Sequence, residues 1–186
     1  MTSQTERTRL RDPQTTIADR PEARTSTAFR YVMAALRLSL GWVFLWAFLD
    51  KMFGLGHETT SAQAWINGGH PTAGFLKKAA EGPFKSFYNG IGGAWWTDTL
   101  FMLGLAGIGV ALMAGIAMRF AAAAGSLLLV LMWTAVLPPA NNPFMDDHLI
   151  YAMVLLALAL VGAGRFLGLG QAWERLPIVQ RYPFLK

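Results

Sequence analysis

Hydrophobic residues in this chain gather into four long runs, at about residues 31–53, 99–118, 120–137 and 148–169. At ~1.5 Å of rise per residue, runs of this length suit helices crossing a ~30 Å hydrocarbon core. The second and third runs form one apolar stretch broken only by Arg119. A single helix of that length would overshoot a bilayer, so a tight turn is expected at Arg119. Pro138-Pro139 ends the third run, because proline lacks an N–H and clashes with the preceding turn. Gly168 and Gly170 mark the exit of the fourth. The pattern predicts an all-α membrane protein: a four-transmembrane-helix bundle with a long extracytoplasmic loop between helices 1 and 2.

That loop, about residues 54–98, is too long to be structureless. Residues 73–81 and 84–88 can form short helices within it. Trp65, Phe75, Phe84, Phe87, Tyr88, Trp95 and Trp96 give it an aromatic face. Two readings stand: an anchor at headgroup level, or a lid over the mouth of the bundle. Gly107, Ala111 and Gly115 recur every fourth residue in the second run, as do Ala121 and Gly125 in the third. Small residues at that spacing let membrane helices pack closely.

Composition supports a membrane assignment. Of 186 residues, 54% are hydrophobic and only 15% charged, against about 25% charged in soluble domains. The formal charge of +5 comes from both ends of the chain, which reads as topology and not as nucleic-acid binding. Residues 1–29 carry Arg7, Arg9, Arg11, Arg20 and Arg24 without an apolar core. They are no secretory signal and are expected to form a disordered basic cytoplasmic tail. The transmembrane domain is expected over 30–170, with a C-terminal tail at 171–186. Eleven Lys/Arg lie in the two tails, at Arg30 and Arg165 beside them and at Arg119, against Lys51, Lys77, Lys78 and Lys85 in the first loop. The bias places both termini in the cytoplasm and the chain, multi-pass, in the cell membrane.

No cysteine is present, which excludes disulfides, thiolate metal sites, iron–sulfur clusters and a persulfide nucleophile within this chain. What chemistry remains concentrates in Asn141-Asn142-Pro143-Phe144-Met145-Asp146-Asp147-His148, between two apolar runs. Ionisable groups beside hydrocarbon are costly, so a cluster there is a functional candidate. Asp50 and Lys51 end the first run on the same side. Packing of helices 1 and 4 would join the two groups, with Tyr151 nearby. Simpler roles compete: Asp146 or Asp147 as a helix cap, Lys51 snorkelling to headgroups, His148 as an interfacial hydrogen-bonder. Arg37, two turns inside the first run, either snorkels or holds a buried partner.

Haem is not expected, since His148 is the only histidine near a span. Nor is a metal, because adjacent side chains at a helix start diverge. A quinone site is chemically compatible. The expected catalytic set is Asp147, His148, Lys51 and Asp50, with Asn142, Tyr151, Trp46 and Arg37 as substrate- or quinone-binding residues.

The chain resembles the DoxX/DoxD family of small four-helix membrane proteins over about residues 30–175. The likeness lies in Arg37-Leu38-Ser39-Leu40-Gly41-Trp42-Val43-Phe44 through Asp50-Lys51, and in Asn142-Pro143-Phe144 with Asp147-His148 and Tyr151. It continues in Gly104-Leu105-Ala106-Gly107-Ile108-Gly109-Val110-Ala111-Leu112 and in Gly162-Ala163-Gly164-Arg165-Phe166-Leu167-Gly168-Leu169. The resemblance implies a membrane subunit of a quinone-linked oxidoreductase, thiosulfate:quinone oxidoreductase-like. It would oxidise thiosulfate or a thiol-type donor and pass electrons to membrane quinone, with a second subunit or soluble redox enzyme as partner. No DoxA-like region is expected after the four helices. Without cysteine, sulfur chemistry falls to direct substrate binding or a partner. The alternative is a non-catalytic membrane scaffold that docks a soluble redox enzyme in an oxidative-stress complex.

Overall fold

The computed structural model describes residues 26–186, and every regular element among them is helical. Most of the expected basic tail, residues 1–25, lies outside the described residues. The Ser26 hydroxyl caps α1 (Thr27–Phe53) by accepting the Phe29 N–H at 3.1 Å, so the helix begins a turn before the expected edge. There follow α2 (Lys85–Ile91), α3 (Trp95–Ala114), α4 (Met118–Ala135) and α5 (Asp147–Leu160). Helices α1, α3 and α4 are long and apolar enough to cross a membrane. α5 has 14 residues, or ~21 Å of rise.

All four carry large apolar side chains on an outward face. Trp42 and Val43 are exposed on α1, Leu100, Leu103 and Val110 on α3, Leu127 and Leu131 on α4, and Met153 and Leu160 on α5. Water would penalise apolar surface this continuous, whereas lipid accepts it. The chain is therefore built to associate with a bilayer.

The helices pack with neighbours antiparallel. Gly41 and Leu45 of α1 meet Leu112 and Gly109 of α3, and Gly104 and Ile108 of α3 meet Leu128 and Gly125 of α4. The Ser126 hydroxyl of α4 donates to the Ala152 carbonyl of α5 at 3.2 Å. Phe44, Met102, Leu105, Leu112, Leu129 and Leu155 fill the core. The expected small-residue stripes fare differently. Ala121 and Gly125 are buried, and a methyl on Gly125 would strike Leu155. Gly107 has nothing within 4 Å, whereas a Cβ on Gly109 would sit 2.8 Å from the Leu45 nitrogen. The α1–α3 approach thus depends on Gly109 and Gly41.

The turn between α3 and α4 and the end of α5 also differ from expectation. The α3–α4 turn falls at residues 115–117, where Gly115 takes a left-handed φ of +74° as C-cap. Arg119 lies inside the first turn of α4. The fourth helix ends at Leu160, not near 169, because Gly162 turns the chain at φ +66°. An irregular stretch then leads to α6 (Gly170–Glu174) and α7 (Pro177–Arg181). Gly164, Gly168 and Gly170 lie so near Gly115 and its neighbours that a side chain at any of them would collide.

Arg37 holds this junction. It is 0% exposed. Its Nη1 donates to the carbonyls of Leu112 and Met113, the latter at 2.9 Å, and its Nη2 to those of Phe166 and Leu167 at 3.3 and 3.1 Å. The end of α3 and the irregular stretch both have carbonyls without helical partners, and buried carbonyls need a donor. Arg37 supplies it from a third element and does not snorkel. Beyond, residues 171–186 pack back against the start of α4 and on themselves. The Lys186 carbonyl accepts the Arg119 N–H at 2.8 Å, and Trp173 Nε1 donates to the Leu185 carbonyl at 2.6 Å. Glu174 accepts from Arg165 at 2.7 Å, and this hydrogen bond and its charge raise the arginine's pKa above its ordinary value.

Candidate functional site

At the end shared by the C-termini of α1 and α4 and the N-termini of α3 and α5, two buried carboxylates fasten the first loop. Asp50, 2% exposed, accepts the backbone N–H groups of His57, Glu58 and Thr59 at 3.3, 3.1 and 2.9 Å. Three backbone donors compensate a carboxylate removed from water. Next to it, Lys51 pairs with Glu58 at 2.9 Å. The Trp46 ring stands edge-to-face on His57, centroids 5.1 Å apart. Asp50, Lys51 and Trp46 therefore all engage the first stretch of loop.

The second carboxylate, Asp98 in the first turn of α3, is equally buried. It accepts the Thr72 N–H at 3.0 Å and hydroxyl at 2.6 Å, and meets His70 Nδ1 at 2.9 Å. Thr72 Oγ1 also accepts the Gly93 N–H at 2.9 Å. A third tie comes from Tyr88 of α2, whose hydroxyl donates to the Leu131 carbonyl at 3.0 Å beside Thr134 Oγ1. Of the loop aromatics, Trp65, Phe75 and Tyr88 pack inward, while Phe84, Phe87, Trp95 and Trp96 stay exposed. The loop is thus fastened to α1, α3 and α4, with an exposed aromatic edge.

The 141–148 run divides into a turn and a dyad. Asn142 Oδ1 accepts the N–H groups of Phe144 and Met145 at 3.0 and 2.9 Å, and Trp133 Nε1 donates to the Phe144 carbonyl at 2.8 Å. Asn142 shapes the turn. Asp146 is the N-cap of α5: one oxygen accepts the Leu149 N–H at 3.2 Å and the other meets His148 Nδ1 at 2.7 Å. Asp147, expected beside His148, is largely solvent-facing and 3.6 Å from that nitrogen. The extended backbone of the cap residue swings Asp146 over the first turn, and Asp147, one step on, points outward. Asp146 is thus the histidine's main partner. His148 is 18% exposed, with the ring of Phe75 6.4 Å from its own. Tyr151 packs on the core.

Among the described residues no hydrogen bond or ion pair joins Asp50 or Lys51 to Asn142, Asp147 or His148. The expected set occupies one end of the molecule in two separate networks. Arg37 lies far along α1 from both. Ligand atoms of Asp146, Asp147 and His148 lie within 4.8 Å of one another, but capping and the histidine bond already engage Asp146.

A feature not anticipated lies beside the dyad. Between α3 and α4 opens a cavity of about 440 Å³. Its walls are almost wholly apolar and include Phe75, Tyr88, Trp96, Leu100, Gly104 and Leu128. Thr97 also lines it, and the Thr97 hydroxyl is buried with no hydrogen-bond partner. Asp98 had a trace in the sequence, as an acid beside two tryptophans at the start of an apolar run. The cavity had none, because it exists only where two helix faces and the loop meet. Comparisons with family models, curated proteins and solved structures find no match.

Proposed function

We propose that the chain is a four-crossing membrane subunit of a quinone-linked oxidoreductase, with both termini on the cytoplasmic side of the cell membrane. The observation that carries this reading is the His148–Asp146 dyad at the mouth of the helices, separated by one phenyl ring from a lipid-side apolar cavity. A carboxylate on Nδ1 fixes the imidazole's orientation and leaves Nε2 for proton exchange. Quinone reduction needs such a relay: two electrons and two protons enter the ring, and it leaves as quinol. A thiol-type donor supplies both when two molecules join through a sulfur–sulfur bond. Two thiosulfate ions joining through a sulfur–sulfur bond release two electrons and no protons, so the protons come from water through His148.

The fourth crossing is supported by register. Gly164 lies against Gly115 and Met118, and Met118 begins α4. Residues 147–164 therefore cover the height that α4 covers with 118–135. The short α5 is continued by residues 161–164, just before the carbonyls that Arg37 binds.

The test is quinone reduction by the purified protein with thiosulfate or a dithiol as donor. His148→Ala should lower turnover by about 10²-fold or more, the usual contribution of a positioned proton-transfer group. Asp146→Asn should lower it as well, since the histidine loses the carboxylate that orients its ring. Turnover unchanged in both variants removes the dyad from the mechanism. If turnover appears only with a co-purifying soluble enzyme and ignores both substitutions, the scaffold reading replaces this one.

A further inference from the structure

We infer that a polar cavity at the opposite end of the molecule holds the phosphate of an anionic phospholipid headgroup. It lies between the start of α4, the end of α5 and the C-terminal segment, and has a volume of about 170 Å³. That is room for about six waters at ~30 Å³ each. A phosphate group fits, whereas drug-sized ligands occupy sites of ~300–1,000 Å³. The inference needs only a bilayer around the helices and stands apart from the redox reading.

Charge selects the occupant. Arg119, Arg165 and Lys186 line the cavity, with Glu174 as its one side-chain carboxylate. Glu174 is engaged by Arg165 through both of its oxygens. Among the described residues neither Arg119 nor Lys186 pairs with a carboxylate. Backbone bonds bring the two together: the Arg119 N–H donates to the Lys186 carbonyl at 2.8 Å, and Arg119 Nη1 to the Pro183 carbonyl at 3.1 Å. Cations lining one small cavity repel each other, and a phosphate between them offsets that repulsion through charge-assisted hydrogen bonds. A carboxylate on Lys186 itself would still leave the cations in excess.

The surroundings identify the phosphate as a lipid's. Leu160 lines the cavity and is 87% exposed, and Phe120, next to Arg119, is exposed as well. Leu176, Ile178, Tyr182 and Phe184 of the C-terminal segment are exposed alongside Arg175 and Arg181. Apolar and basic side chains mixed on one exposed segment suit the headgroup layer. The cavity therefore opens at the level of the lipid phosphates, and the acyl chains pass over Leu160 and Phe120. Free phosphate gains nothing from these apolar groups. A choline headgroup brings its own cation to the same place, so an anionic headgroup is preferred.

The test uses the full-length protein, delipidated in a nonionic detergent and titrated with dioleoylphosphatidylglycerol or dioleoylphosphatidylcholine. Bound lipid is counted by native mass spectrometry. Phosphatidylglycerol should give one saturable adduct, held about tenfold more tightly than phosphatidylcholine. Lys186→Gln and Arg119→Gln should each weaken it about fivefold, the effect of one basic residue near a membrane surface. Arg181→Gln, exposed on the same segment but outside the cavity, should leave it unchanged. If Arg119→Gln fails to fold, Lys186→Gln decides alone, since Lys186 is tied to α4 through its backbone. Equal affinity for the two lipids overturns the site. So does an equal loss in Arg181→Gln and Lys186→Gln, which is the behaviour of a diffuse basic surface. Displacement of the adduct by inorganic phosphate at matched ionic strength assigns the cavity to a soluble anion and overturns the lipid.

Discussion

Arg37 shows how one residue's environment sets its role. A lone arginine two turns inside an apolar helix has two outcomes on paper, snorkelling or burial with a partner. It is buried here, and its partners are four backbone carbonyls from two other segments, which no side-chain pattern announces. Arg37→Leu should lower folding stability by about 3 kcal/mol or more, since hydrogen bonds to a charged group contribute roughly 1.5–3 kcal/mol each and carbonyls are left bare. Arg37→Lys keeps the charge, but a single ammonium cannot span both carbonyl pairs, so most of the loss should remain. Thermal unfolding of the detergent-solubilised variants checks this. Equal melting temperatures for wild type and Arg37→Leu would show that the carbonyls find other donors. The dyad is a similar case. The 141–148 run was visible as a polar interruption, yet the choice of Asp146 over Asp147 depends on the backbone torsion of one cap residue.

At the scale of helices, the apolar runs showed where α1, α3 and α4 lie to within a few residues. They overran α5, because apolar composition continues through Gly162–Leu169 while the backbone does not. Hydropathy reports affinity for lipid, and glycine torsions decide where the helix stops. Packing faces were harder still. The second run contains Gly104, Gly107 and Gly109 within six positions, so spacing alone fits more than one face. The resolved packing makes a direct comparison possible. Alanine is preferred to glycine in a helix by about 1 kcal/mol, so Gly107→Ala should be neutral or stabilising. Gly109→Ala places a methyl 2.8–3.0 Å from Leu45 and should cost roughly 1–3 kcal/mol, as overpacking does. Equal effects at the two positions would mean that α1 and α3 are not held at this distance.

For the molecule as a whole, the number of crossings fixes which groups can meet. Three crossings would leave the 138–147 turn and the C-terminal segment on one face of the membrane, and four would separate them. α5 alone is short of a ~30 Å core, so the case for four depends on residues 161–164 completing the passage beside Gly115 and Met118. The chain has no cysteine, so single-cysteine variants report without background. Glu58→Cys in the loop, Asn141→Cys in the turn and Gln180→Cys in α7 replace exposed residues. In intact cells a membrane-impermeant maleimide should label the first two and spare the third until the membrane is permeabilised. Labelling of Gln180→Cys together with Asn141→Cys would reduce the crossings to three. It would also detach the Arg37-held junction from the cytoplasmic face. Labelling of Gln180→Cys alone would keep four crossings and invert the molecule, putting the His148–Asp146 dyad and the loop on the cytoplasmic side.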